Sequence, residues 1–453
     1  MKQYDLIVLG AGTAGMGVVY PAAAKGWKTA LVEPAYLGGT CVNVGCIPSK
    51  ILISSANAVH QVKAAAALGV KATLQEVDWT AMVARKEGII GRMRDGSMRS
   101  IRRQENVTLY QGAATFVDAH TVSVNGDLLQ GERIVIATGA RSAVPPVPGL
   151  NEINFLTSIT VMSMEQLPAH MLILGGGIIA LEFAQMLIRL GVAVTIVERA
   201  DRLAANLDPA ISEQVRVFLE GEGVVVFTGA DVQNVTQQDH TIRIHLQHQG
   251  VDQVVTGDQL LVATGRTPNT DGLGLDSTGI QIDARGYIQV DAYFRTAVDG
   301  VWAIGDVTGG MMFTHKAWHD SVLLAGQLLE GKMVSSRGRL IPFAVFTDPE
   351  VAGAGIGHSD LEKVGHEVSI LKATYGSSAR AKAIGRETGF ITLYTHPEDG
   401  KVLGVQMVGP GAGETIHEVL AVMRLGGTVH DLADMMHIHP TLAEMINITA
   451  LSG

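Results

Sequence analysis

Two copies of one glycine pattern, each set in the same strand, helix and acid, constrain this chain more than anything else in it. The first copy opens with the apolar run Tyr4–Leu9, continues through Gly10, Gly12 and Gly15 as GxGxxG, and passes into an alanine-rich stretch reaching Gly26. A second apolar run, KTALVE, then ends at Glu33. The second copy runs from Met171–Leu174 through Gly175, Gly177 and Ala180, along a helical stretch to about Gly191, and into VAVTIVE, which closes at Glu198. In both, the acid stands 18 positions after the third glycine position (15 to 33, and 180 to 198). One such turn is a weak signal. Two with matched surroundings make an internal repeat of a whole domain.

Each residue type has a physical reason to be there. Gly10 and Gly175 permit a tight turn, Gly12 and Gly177 let a pyrophosphate approach the backbone, and the third position lets helix and strand pack closely. The helix start offers unpaired N–H groups and a positive dipole end to phosphates. Glu33 and Glu198 stand where a carboxylate accepts from ribose hydroxyls. Each copy also ends in an apolar strand running into Ala-Thr-Gly, at Ala137–Gly139 and Ala263–Gly265. The fold class expected is α/β, with two Rossmann-like dinucleotide-binding domains. Two sites suggest two dinucleotides, one held permanently and one exchanged.

At 453 residues the chain exceeds what one core supports. A net charge of −10, with no basic run, argues against a nucleic-acid partner. The opening stretch resembles a signal peptide or a short span, but its three glycines make a nucleotide turn the better reading. The interrupted second apolar run, with Glu182 inside it, reads the same way. No membrane insertion and a cytoplasmic location are therefore expected.

The chain has only two cysteines, Cys41 and Cys46, in GGTCVNVGCIPSK. A secreted disulfide scaffold needs more. Five residues of regular helix climb roughly 7.5 Å, whereas disulfide Cα atoms lie within about 7 Å. A bridge therefore requires a distorted turn, which Gly45 makes sterically accessible. A helix N-terminus here, with Lys50 nearby, favours a thiolate. Zinc binding is a poor alternative with no second ligand pair, so no metal is expected. A purely structural disulfide is the other reading.

At this point the sequence resembles the flavin-dependent pyridine nucleotide–disulfide oxidoreductases, whose members include dihydrolipoamide dehydrogenase, glutathione reductase and mercuric reductase. The likeness covers essentially the whole chain: GAGTAG, the cysteine segment, both ATG elements, GRTPNT at Gly265–Thr270, VWAIGD ending at Asp306, FTDPE at Phe346–Glu350 and HIHPTLAE at His437–Glu444. It implies FAD on the first unit, with Gly39, Thr40, Ala114, Thr138, Gly139, Asp306 and Thr314 among its contacts, a nicotinamide nucleotide on the second, and Gly265 and Arg266 as further cofactor-binding residues. Cys46 would be the charge-transfer thiolate and Cys41 the sulfur exchanging with substrate. Lys50, paired with Glu182, would sit near the reactive flavin nitrogen. His439, oriented by Glu444, would be the acid–base group, reaching the partner chain's cysteines in a homodimer.

The resemblance is nearest to dihydrolipoamide dehydrogenase, so the reaction expected is dihydrolipoamide:NAD⁺ oxidoreduction. The alternative is a related NAD(P)H-dependent reductase whose acceptor is a metal ion such as mercuric, a quinone, an oxidant or another disulfide. Mercuric reductases place a tyrosine at the region of His439 and end in an adjacent cysteine pair, which this chain lacks. The segments MMFTHKAWHDS and SSARAKA depart from the lipoamide pattern. Glu198 favours NAD, while Arg199 and Ala180 resemble NADP-preferring members, so NAD is expected with NADP as the alternative. Substrate would be a small-molecule or lipoyl-protein dithiol, and a multienzyme-complex acyltransferase is the partner to test. The implied domains are FAD-binding at 1–148, NAD(P)-binding at 149–268, a central segment at 269–339 completing the FAD domain, and an α+β interface domain at 340–453.

Overall fold

A computed structural model describes residues 1–365 and 367–452. The chain divides into two compact units. One contains Met1–Ile51, Val83–Ala143 and Gly265–Arg339, and the other contains Leu52–Met82, Val144–Thr264 and Leu340–Gly453.

The first unit is built on a sheet whose central strand, Lys2–Leu9, pairs in parallel with Thr29–Glu33 on one side and Asp127–Ile136 on the other. Val107–Gln111 extends it in parallel beyond Thr29–Glu33, and Val301–Ala303 pairs in parallel with Asp127–Ile136. Thr121–Val124 and Ala114–Asp118 continue as an antiparallel edge. Leu6, Ile7, Val8 and Leu9 are all buried, as a parallel strand covered on both faces requires. Each such side chain contributes roughly 1.5–3 kcal/mol by leaving water. The helix Thr13–Ala24 follows the first glycine turn, and Thr314–Glu330 lies against it with Ser321 beside Gly17.

The second unit repeats the plan. Its parallel sheet runs in the order Val225–Phe227, Ala193–Val197, His170–Leu174, Gln259–Val262, Leu156–Thr157. The helix Ile178–Arg189 follows the second glycine turn. A three-stranded antiparallel layer, Asp231–Gln238, Thr241–His248 and Val251–Gly257, inserts before the last long strand. The same unit contains an antiparallel sheet in the order Phe343–Val345, Glu350–Gly355, Val402–Gly409, Phe390–Thr395, Ser369–Thr374. Helices Ala412–Arg424 and Glu444–Ala450 cover it, with Ile416, Val419, Met445 and Ile446 buried. The fold is thus α/β with two dinucleotide-binding sheets and a C-terminal α+β layer.

The proline-rich stretch at Ala140–Gly149 begins as a strand, Ala140–Ser142, paired antiparallel with Arg266–Pro268. Both copies of Ala-Thr-Gly therefore run directly into one short ribbon.

Candidate active site

The first glycine turn sits at the carboxyl end of Lys2–Leu9, where open α/β sheets bind ligands. Gly10 has φ +105, and a Cβ there would collide with the Ala137 carbonyl oxygen. A Cβ on Gly15 would collide with the Gly10 oxygen. These two glycines are required by the chain itself. Gly12 is different: its backbone is extended, and an added Cβ would meet only the Gly39 Cα, at 3.8 Å. The protein has room for a side chain at Gly12, so the space is kept open for something else. Gly177 repeats this, with φ −75, ψ 175 and nothing within 4 Å. Ala180, fully buried, shows that the second turn accommodates a methyl at the third position.

Glu33 accepts hydrogen bonds from Ala11 N (2.8 Å) and Ala35 N (2.9 Å). Its carboxylate is thereby fixed beside the turn with lone pairs left for hydroxyl donors. Glu198 is held the same way, by Gly176 N and by Ala200 N at 2.6 Å. Arg199 beside it is exposed. A cavity of about 300 Å³ opens next to Glu33, lined also by Tyr36, Arg94, Met98 and Gln111. The Arg94 guanidinium lies 4.2 Å from the Tyr36 ring centre.

The cysteine segment forms two helices broken at the expected glycine. Gly39–Val44 carries Cys41, Gly45 adopts φ −139, ψ −112, and Cys46 begins the helix Cys46–Ala64. The start of this segment packs on the first glycine turn, since a Cβ on Gly39 would lie 2.7 Å from the Gly12 Cα. The pair is present as two thiols, with a hydrogen bond between the sulfurs. Cys41 is held well above the ordinary thiol range, first by donating to Cys46 and then by burial, while Thr314 and Lys50 pull the other way. The Cys46 Sγ lies 3.3 Å from Thr314 Oγ1.

Asp306 stands in the same unit, largely withdrawn from solvent, and burial pushes its carboxyl above the ordinary range against the pull of Arg266 and Lys316. Arg266 Nε lies 4.0 Å from the Asp306 carboxylate and is buried without a hydrogen-bond partner, while its Nη2 donates to Ala140 O. Thr138 Oγ1 donates to Asn269 O at 2.9 Å and Gly139 has φ +70, so the first Ala-Thr-Gly is fixed as a turn. Ala114 begins an edge strand and is buried.

Thr40 and Gly265 lie in the first unit, and Glu182, His439 and Glu444 lie in the second. Glu182 is buried and accepts from Phe346 N at 3.0 Å. One helical turn on, Gln185 Nε2 donates to Asp348 O and to Glu222 Oε1 at 2.7 and 2.8 Å. Asp348 N donates back to Gln185 Oε1 at 2.7 Å. Arg189 follows, also buried, donating to both Glu222 oxygens, to Asp348 and to Asn57. Arg386 also pairs with Asp348. Neither Gln185 nor Arg189 is visible as special in the sequence, because their partners are distant along the chain.

His439 presents Nδ1 to Glu444 Oε1 at 2.9 Å, with its side chain 72 % exposed. Glu444 also accepts from Thr441 N at 2.8 Å. That backbone bond, and then His439, hold its carboxyl below the usual range. Among the described residues, no cluster of three or more His, Cys, Asp or Glu could hold a metal ion. No helix there is long and apolar enough to cross a membrane.

A profile described as pyridine nucleotide-disulphide oxidoreductase matches residues 4–321, and the dimerisation domain of the same family matches residues 341–450. The chain belongs to the pyridine nucleotide-disulphide oxidoreductases. It is 35 % identical over 448 residues to a dihydrolipoyl dehydrogenase of Thermus scotoductus, covering 98 % of this chain and 96 % of that one. A mercuric reductase of Lysinibacillus sphaericus is 32 % identical over 450 residues, covering 99 % and 82 %. Among solved structures, the HOCl-induced flavoprotein disulfide reductase RclA from Escherichia coli, as its Cu(II) complex, superposes with a TM-score of 0.91 at 29 % identity, over 99 % of each chain.

Enzymes of this family are dependent on FAD and NAD(P), and the residues here fit both. The open space at Gly12 and the orphaned Arg266 Nε fit an anionic, hydroxyl-rich group on the first unit. The open space at Gly177 and the fixed Glu198 fit a second dinucleotide on the other. The chain is thus an FAD-dependent pyridine nucleotide–disulfide oxidoreductase with a dimerisation domain.

Proposed function

We propose that this oxidoreductase oxidises a dihydrolipoamide-type dithiol and reduces NAD⁺, through the Cys41–Cys46 pair. The observation that carries the reading is the His439–Glu444 pair, at 2.9 Å with an exposed ring. Glu444 holds the Nδ1 side of the ring, and Nε2 is left for a substrate thiol.

When bound, FAD supplies the two-electron link between nicotinamide and the sulfurs. Gly10, Gly12, Gly15, Glu33, Gly39, Thr40, Ala114, Thr138, Gly139, Asp306 and Thr314 would hold it, with Gly265 and Arg266 as further cofactor-binding residues. Gly175, Gly177, Ala180 and Glu198 would hold the nicotinamide nucleotide. Lys50 and Glu182 are assigned the charged pair serving the flavin.

In the oxidised state a disulfide joins Cys41 and Cys46. His439 takes the proton of one substrate thiol, and the resulting thiolate attacks Cys41 as the bond to Cys46 breaks. Cys46 leaves as the thiolate. The second substrate thiol then displaces Cys41, which takes up a proton, and the substrate closes its own disulfide. The raised affinity of Cys41 for its proton beside Cys46 suits this division of labour. The homodimer is part of the proposal, with His439 serving the partner's cysteines.

The deciding experiment mixes FAD-loaded protein with dihydrolipoamide and NAD⁺, with NADP⁺ in parallel, and follows NADH or NADPH. Rapid turnover with NAD⁺ supports the reading. Absence of turnover, with the flavin still reducible by NADH or NADPH, overturns it.

A second reading, reduction of a metal ion, quinone, oxidant or other disulfide by NAD(P)H, is favoured by the segment Met311–Asp320. It departs from the lipoamide pattern and leaves Met311 and Trp318 exposed to solvent. NADPH-driven reduction that survives Cys41→Ser would favour direct transfer to such an acceptor.

A further inference from the structure

His439 lies on a stretch with little to hold it. From Asp434 to Pro440 every residue is exposed except one, His437. The His437 side chain is only 8 % exposed, and both of its ring nitrogens are engaged. Nε2 lies 2.8 Å from Glu418 Oε1, on the helix Ala412–Arg424, and Nδ1 lies 3.0 Å from Met435 O. Both partners are acceptors, so each bond forms when the ring nitrogen facing it carries a hydrogen.

The segment thus carries two His–Glu pairs with opposite orientations. His439 faces outward with Glu444 behind it, and His437 faces inward to Glu418. The outward pair fixes the ring of His439 about its own axis. It does not fix the backbone from which that ring projects. Met435, Met436 and Ile438 are all exposed in the single chain, so within one subunit none of them anchors the segment.

We propose that the His437–Glu418 pair is the positioning element for His439, setting the backbone from which the acid–base ring is presented. This rests on the reading of His439 as the acid–base residue for a dithiol. Displacement of a reacting group by about 1 Å costs on the order of 10²-fold in rate, and the anchor acts two residues from the ring it places.

The test uses Glu418→Ala, Glu418→Gln and His437→Asn in FAD-loaded enzyme. The amide introduced by Glu418→Gln can donate to Nε2 of a neutral ring while Nδ1–H still donates to Met435 O. That variant therefore keeps both bonds and acts as the conservative rescue. Glu418→Ala is expected to lower kcat for dihydrolipoamide by about tenfold to a hundredfold, with KM unchanged. NADH oxidation by ferricyanide, which needs no substrate thiol, is expected to be unaltered. Glu418→Gln is expected to recover most of the loss. Amide hydrogen exchange across Met435–His439 is expected to rise in Glu418→Ala and His437→Asn only.

Full dithiol turnover in Glu418→Ala, alongside loss of turnover in His439→Gln, would overturn the anchor. So would unchanged exchange in that segment. Full turnover in His439→Gln with faster exchange in Glu418→Ala would leave the anchor standing and sink the acid–base reading instead. A fall in ferricyanide reduction matching the fall in dithiol turnover would show general damage and overturn the positioning role.

Discussion

The sulfur of Cys46 lies 3.3 Å from the hydroxyl of Thr314, and each residue is the first of its helix. Two helix N-termini therefore meet at one sulfur, and both present the positive end of their backbone dipole to it. That arrangement favours negative charge on Cys46 rather than Cys41, in agreement with the proton held on Cys41.

Thr314→Val removes the hydroxyl and leaves the helices in place. A hydrogen bond to a charged group contributes about 1.5–3 kcal/mol, or roughly one to two pH units. The long-wavelength charge-transfer absorbance of the reduced enzyme should then appear at a pH higher by about that much. An unshifted titration would assign the stabilisation to the helix ends alone.

Gly12→Ala and Gly177→Ala should both fold with native stability, because neither added methyl meets the protein closely. The first variant should purify without flavin. The second should keep flavin and lose reduction by NADH. Gly15→Ala should instead destabilise the protein, since its methyl would overlap the Gly10 carbonyl. Thermal unfolding and flavin absorbance distinguish the three.

Asp306 should trade stability for ligand binding. Burial raises its carboxyl, so the folded state favours the protonated form, and the ionised form is a burden at neutral pH. Asp306→Asn should raise the Tm of the flavin-free protein at pH 7 and weaken FAD binding. By linkage, the burden begins as pH rises through the unfolded value, near 3.9, and is complete above the raised folded value. The Tm advantage should therefore close as pH falls toward about 3.9. A lower Tm for the variant at pH 7 would contradict this.

Removal of one partner from a buried ion pair costs about 3–5 kcal/mol, and Arg189 has two carboxylates to leave behind. Arg189→Met should destabilise the protein by that order in urea unfolding. Arg189→Lys should recover little, because one ammonium cannot reproduce the bidentate fork to Glu222.

What the sequence made legible was local in character. The glycine turns, the acids at Glu33 and Glu198 and the break at Gly45 each depend on neighbours a few residues away, so spacing alone carries them. His439 and Glu444 were legible only through resemblance to a family, since one histidine among fifteen has no local mark. The Arg189 cluster, the pairing of His437 with Glu418 and the meeting of Thr314 with Cys46 were not legible. Each joins segments far apart in sequence, and an arginine or threonine on a helix looks the same whether buried among carboxylates or facing water.

Gly12 and Gly177 have a further meaning. Glycine surrenders more backbone freedom on folding than alanine does, so selection for folding alone would favour a methyl at both positions. Their presence in a chain that has no steric need of them is a fossil trace of occupancy: two bound molecules have left their outlines as the absence of two methyl groups.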